Sequence, residues 1–235
     1  MARAATTASK PLKQRVDESL RVLERQGSKR FADDMRGRFG ITAKKAFGTS
    51  MAEIQRLAKT LGRDHALAEA LWKTGWHEAR ALACYVDDPA LVTPEQMDRW
   101  CADFDNWAVC DTACFSLFDR TPHAFAKVKR WARRKEEFVK RGAFALLASI
   151  ALHDKKAPDA PFLAAFPLIK SGADDPRNFV KKGVSWALRA IGKRNATLNA
   201  AALKLARELA VSDDATERWI GKDALRDLAK PLRRK

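Results

Sequence analysis

The residues with chemistry to offer fall in two short stretches. In 105-DNWAVCDTACFSLF-118, Trp107, Asp111 and Cys114 stand at i, i+4 and i+7, so a helix there carries an indole, a carboxylate and a thiol on one face. In the stretch 177–194, Lys182, Trp186, Arg189 and Lys193 stand at i, i+4, i+7 and i+11, opposite an apolar stripe of Val180, Val184, Leu188 and Ile191. Cations interleaved with an indole suit a phosphate backbone plus a stacking surface. Lysine stems covering a half-exposed tryptophan would give the same pattern. Arg141, in the helix expected near 136–152, lies off the stripe Phe138, Phe144/Ala145, Leu147/Ala148 and Ala151. It reads as an exposed arginine, at nearly the station that Lys182 occupies one repeat later. For Asp111 two readings stand: a local ion pair or cap, the commoner fate of such a carboxylate, or a catalytic group.

Asp111 draws attention because the chain is so basic. Its 235 residues hold 45 Lys+Arg against 29 Asp+Glu, a formal net charge of +16. An excess of this size points to a polyanionic partner, nucleic acid before an anionic membrane. It disfavours a plain protein-binding scaffold, which has no use for such charge. Further basic clusters are Lys127-Lys129-Arg130-Arg133-Arg134-Lys135 and Arg233-Arg234-Lys235; such runs are ordinarily solvated faces. With 46% hydrophobic residues the chain can bury a core.

No apolar run approaches the roughly 20 residues that span a bilayer. The opening MARAATTASKPLKQR lacks the apolar centre of a secretory signal. Cys84, Cys101, Cys110 and Cys114 lie in apolar helical contexts without a C-x-x-C, and His65, His77, His123 and His153 are scattered. Buried free thiols in a reducing cytoplasm fit this better than a disulfide scaffold or a metal site. No metal and no organic cofactor are expected.

The elements that must hold these residues are helices. Nearly every segment has a 3.6-residue period, and no alternating strand pattern is bounded by turn chemistry. About a dozen helices follow from the caps and breakers. Thr49-Ser50 and Thr93-Pro94 read as helix starts, and Thr121-Pro122 puts proline at a first helical position. Three segments repeat: KRGAFALLASIALHDK (140–155), KKGVSWALRAIGKRN (181–195) and IGKDALRDLAK (220–230), with their glycines 41 and then 38 positions apart. HEARALACYVDD and NWAVCDTACFSLF sit at comparable stations earlier in the chain. Helical repeats of about 40 residues cannot bury their apolar faces alone and stack on one another. The expectation is an all-α, right-handed HEAT-like solenoid (an α-α superhelix), as a single domain over residues 11–232 after a disordered basic segment, 1–10. Stacked in this way, Trp107, Asp111, Arg141 and Trp186 would look into one concave space.

Three stations together resemble the DNA alkylation repair glycosylases of the AlkD-like family: NW-x-x-x-D (Trp107, Asp111), the VKRGAFALL helix (Arg141) and the KKGVSWALR helix (Trp186, Arg189). The likeness runs from about Leu12 to Leu228 and is strongest from residue 71 onward. It implies excision of N3- and N7-alkylated purines from double-stranded DNA by a cytoplasmic, nucleoid-associated protein, expected to be a monomer. It further implies that Asp111 is the catalytic carboxylate, that Trp107 and Trp186 pack on the damaged nucleotide, and that Arg141 holds phosphates with support from Arg189. Lys182 and Lys193 extend the same DNA-binding stripe. Some relatives carry a second aromatic where this chain has Asn106, which changes the shape of the cleft. A purine alkylated at N3 or N7 is already cationic and leaves as a neutral base, so no general acid is needed and one carboxylate can stabilise the sugar cation. The alternative expectation is a non-catalytic HEAT-like module that binds nucleic acid.

Overall fold

The computed structural model describes residues 10–229. Among them are fourteen α-helices, one 3-10 turn and no strand, as the periodicity predicts. The expected disordered segment 1–10 lies outside the described residues except for Lys10, whose ammonium group pairs with Glu18 at 2.8 Å. The Arg233–Lys235 cluster also lies outside. The chain divides into two compact units at the junction of Leu117 and Phe118.

The first unit comprises α1 (Leu12–Gln26), α2 (Lys29–Gly37), α3 (Met51–Leu61), α4 (His65–Lys73), α5 (His77–Val86), α6 (Pro94–Ala102) and α7 (Trp107–Ser116). Its centre is α5, which is buried nearly all round and packs on α3, α4 and α7. Short polar side chains start five of the other six helices by accepting from otherwise orphaned N–H groups: Ser28, Ser50, Asp64, Thr93 and Asn106. Thr93-Pro94 therefore starts a helix as expected. In Thr49-Ser50 only Ser50 is the cap, while Thr49 is buried and donates its hydroxyl to the Leu23 carbonyl at 2.7 Å. Trp72 and Trp100 stack with centroids 4.0 Å apart and bind α4 to α6.

The second unit begins with a 3-10 turn (Phe118–Arg120) and continues with α8 (Ala124–Trp131), α9 (Glu137–His153), α10 (Asp159–Leu163), α11 (Phe166–Ser171), α12 (Asn178–Gly192), α13 (Ala196–Ala210) and α14 (Ala215–Leu228). The Thr121-Pro122 reading is corrected here: α8 starts later, at Ala124, and the Thr121 hydroxyl closes the 3-10 turn onto the Phe118 carbonyl at 2.8 Å. Helix α9 lies between α8 and α12 and is buried without a break from Arg141 to Ala151, so the narrow stripe read from its sequence is too small. The reading of α12 holds: Val180, Val184, Leu188 and Ile191 are fully buried.

The repeat appears as hydrogen bonds that recur at fixed sequence separation. In the second unit they join residues 38 apart (Arg141 to Phe179, Ser185 to Asp223, Arg189 to Asp227) and 42 or 43 apart (Arg177 to Lys135, Arg194 to Ala151). In the first unit they join residues 29 to 31 apart (Thr49 to Glu78, Gln55 to Tyr85, Trp72 to Asp103). These bonds recur over about 30 residues in the first unit and about 40 in the second, as expected where repeated layers stack on their neighbours.

Candidate functional site

In the first unit the site residues belong to α7. Asn106 caps this helix: its side chain is buried, and Oδ1 accepts from the N–H groups of Ala108 and Val109 at 3.0 and 3.1 Å. Its Nδ2 donates to Asp105 at 2.7 Å. Nearby, burial pushes the His77 imidazole below its ordinary pKa, against the opposing pull of Glu78 and Asp105. Asn106 is therefore spent on starting the helix, and it aims Trp107 as the first helical residue. Trp107 is half-buried, with its Nε1 donating to the Phe39 carbonyl at 2.9 Å.

Asp111 follows one turn later, also half-buried, with the fully buried Cys110 and Cys114 beside it in the sequence of the helix. Burial pushes the Cys114 thiol well up; Cys110, Cys101 and the Asp111 carboxylate push the same way. The thiol is thus protonated and inert, and all four cysteines are buried free thiols, as expected. The face shared by Trp107, Asp111 and Cys114 is graded, with its first two members reaching solvent and the third in the core.

Glu78 is a residue that reading the sequence missed. It is fully buried in the first turn of α5, and its carboxylate accepts from the N–H groups of Phe47, Gly48 and Thr49 at 3.0, 2.8 and 3.3 Å. It thereby holds the loop whose Phe39 carbonyl meets Trp107. The available signal was weak: an acidic residue inside HEARALAC, at a position where the apolar period calls for an apolar side chain.

In the second unit, Arg141 departs from expectation. It is only 6% exposed, and Nη1 donates to the Phe179 carbonyl in the first turn of α12 at 2.7 Å. The sequence placed it on an exposed flank, but α12 closes over that flank. Lys182, expected at the equivalent station, is exposed. Lys127, read as part of a solvated basic run, is buried as well.

The stripe Lys182, Trp186, Arg189 and Lys193 does lie on one face of α12, with Trp186 and Arg189 half-buried and both lysines exposed. Its lower half is tied to two carboxylates of α14 that the sequence reading overlooked, although Asp223 and Asp227 stand at i, i+4. Arg189 lies 3.5 Å from Asp223 and 3.3 Å from Asp227, and Lys193 pairs with Asp227 at 2.5 Å. Burial would raise the Asp227 carboxyl, but the Lys193 and Arg189 cations outweigh it and hold it below the usual range. Among the described residues no three His, Cys, Asp or Glu side chains gather as a metal-ion site, and no helix is long and apolar enough to cross a membrane.

The Trp107–Asp111 pair thus stands on one helix of an all-α repeat fold, in a chain of formal net charge +16. The family model described as DNA alkylation repair enzyme matches residues 20–228, and the chain belongs to that family. The fold is that of a solved structure described as "a new family of proteins related to the HEAT-like repeat DNA glycosylases with affinity for branched DNA structures". The similarity covers 94% of this chain and 98% of that one, with a TM-score of 0.76 and 17% sequence identity. No curated protein matches the chain.

Proposed function

We propose that this protein is a monofunctional DNA glycosylase that hydrolyses the N-glycosidic bond of cationic N3- and N7-alkylated purines in duplex DNA. In this reading it works as a cytoplasmic, nucleoid-associated monomer. The observation that carries the proposal is the half-buried Asp111 one helical turn from the half-buried Trp107, in a member of a DNA alkylation repair enzyme family. As the bond to the base breaks, positive charge grows on the sugar. An ionised Asp111 stabilises that charge and aims a water at C1′, with no general acid required because the base leaves neutral. The carboxylate repels DNA phosphates in the ground state and attracts the sugar in the transition state, so its binding is differential.

The indole face of Trp107, on the same helix as Asp111, adds about 0.5–2 kcal/mol beside that cation, and Trp186 of the second unit is assigned to packing on the DNA. Arg141, buried against the Phe179 carbonyl, is assigned to phosphate binding by the family resemblance. Arg189, Lys182 and Lys193 supply the outer phosphate contacts. Arg189 and Lys193 are the weaker of these, since Asp223 and Asp227 already compensate them.

A methylated duplex incubated with the protein is expected to release free 7-methylguanine and 3-methyladenine, while uracil and hypoxanthine stay bound to their sugars. Absence of both methylated bases above a protein-free control overturns the glycosylase reading. A second reading, binding of branched DNA without excision, is favoured by the structural relative described as having that affinity. It predicts tight binding to a four-way junction with no base release from any substrate.

A further inference from the structure

The loop 38-RFGITAKKAFGTS-50 joins α2 to α3 and holds Lys44, Lys45 and Arg38 exposed. It has no regular structure, yet both of its ends and its middle are fixed. Ile41 N–H donates to Met35 at 2.8 Å, and Trp107 holds the Phe39 carbonyl. The carbonyl of Lys45 itself accepts from His77 N–H at 2.9 Å. Phe47 stacks on Trp76 with centroids 3.8 Å apart, and the buried Glu78 carboxylate grips the next three N–H groups. Gly48, with φ of 76°, passes so close to α2 that a Cβ would fall 2.8 Å from the Ala32 nitrogen. A buried carboxylate spent on three loop amides costs desolvation, and its return is a rigid loop.

This rigid loop presents Lys44 and Lys45 to an open cleft of about 390 Å3, which Gly75, Arg80, Phe104 and two carboxylates also line. The carboxylates are engaged. Asp103 accepts from the Trp72 indole at 2.8 Å and lies 3.8 Å from Arg80, and Asp105 accepts from Asn106 and lies 3.9 Å from Arg80. Arg80 is itself held over the Trp72 ring at 5.4 Å. The side chains of Lys44 and Lys45 have no hydrogen bond or ion pair among the described residues, and with Arg80 facing Asp103 and Asp105 they leave the cleft lining net positive.

We propose that Lys44 and Lys45, held by the Glu78-clamped loop at the mouth of the Arg80 cleft, form a binding site for DNA backbone phosphates. The inference rests on the reading of this chain as a duplex-DNA-acting protein, though not on catalysis. The fixed loop backbone keeps the two lysine stems side by side while their ammonium groups stay free to turn toward phosphates, so the pair adds affinity without base preference.

The test is a salt titration of binding to an undamaged duplex, read by fluorescence anisotropy, with wild type, Lys44→Ala/Lys45→Ala and Lys44→Arg/Lys45→Arg. Each neutralised phosphate contributes about 0.9 to the slope of log affinity against log salt. The alanine pair is expected to lower that slope by about 1.8, so its deficit against wild type narrows about tenfold between about 50 and 200 mM salt. The arginine pair keeps the wild-type slope. An alanine-pair slope equal to wild type overturns the site while leaving the glycosylase reading intact. A wild type that does not bind the duplex at all overturns both.

Discussion

Asp175 shows what a buried carboxylate does in this basic chain. Its side chain is nearly sealed from solvent, accepts from Arg177 at 2.8 Å and from Lys140 at 3.0 Å, and is pulled far below the usual aspartate range, by Arg177 first. A depressed carboxyl stabilises the fold above its unfolded value, near 3.8, and that contribution is lost as pH falls below it. Asp175→Asn is therefore expected to cost about 1.5–3 kcal/mol at pH 7. Its deficit against wild type should shrink as pH is lowered from 4 toward 2, read from urea midpoints; a gap that stays constant over that range would deny Asp175 its depressed pKa. Asp111 differs in setting, half-buried on α7 among buried thiols. The i, i+4 spacing was enough to place Trp107 and Asp111 on one face. It could not show that Arg141 is buried, because the flank read as exposed is covered by α12, a segment some 40 residues away.

At the scale of elements, two of the glycines that marked the repeat, Gly183 and Gly221, are alike in sequence and unlike in duty. Gly221 brings α14 against the backbone of α13, where a Cβ would fall 2.6 Å from the Ala206 carbonyl oxygen and closer still to the Ala210 nitrogen. At Gly183 a Cβ would meet Phe144 and Arg141 at 3.5–3.6 Å, an ordinary contact. Gly221→Ala is expected to destabilise by about 1–3 kcal/mol through overpacking. Gly183→Ala should be neutral or stabilising by about 0.5–1 kcal/mol, as for a helix-interior glycine relieved of its entropy. Equal melting temperatures for the two variants would contradict this assignment of the helix contacts. The repeat was legible because stacked layers impose one apolar pattern on each segment. The shorter 30-residue spacing of the first unit was not, because there the layers are joined partly by a loop and a buried Glu78, which leave no periodic trace. The late start of α8 was missed for a similar reason, since Thr-Pro serves a 3-10 turn as readily as a helix.

At the scale of the whole molecule, a net charge of +16 favours a polyanionic partner and an attraction that falls with salt, which bears on binding and not on excision. Composition and periodicity reached the fold and the class of partner, because both are properties summed over many residues. The proposed chemistry rests on a single carboxylate, and no sum over the chain reveals its role. The direct measurement is the rate of 7-methylguanine release from methylated duplex DNA with protein in excess, for wild type and Asp111→Asn, alongside the affinity of each for undamaged duplex. Loss of the anion is expected to slow release by at least about 100-fold, with duplex affinity equal to or tighter than that of wild type. Release by the asparagine variant at the wild-type rate would contradict the account.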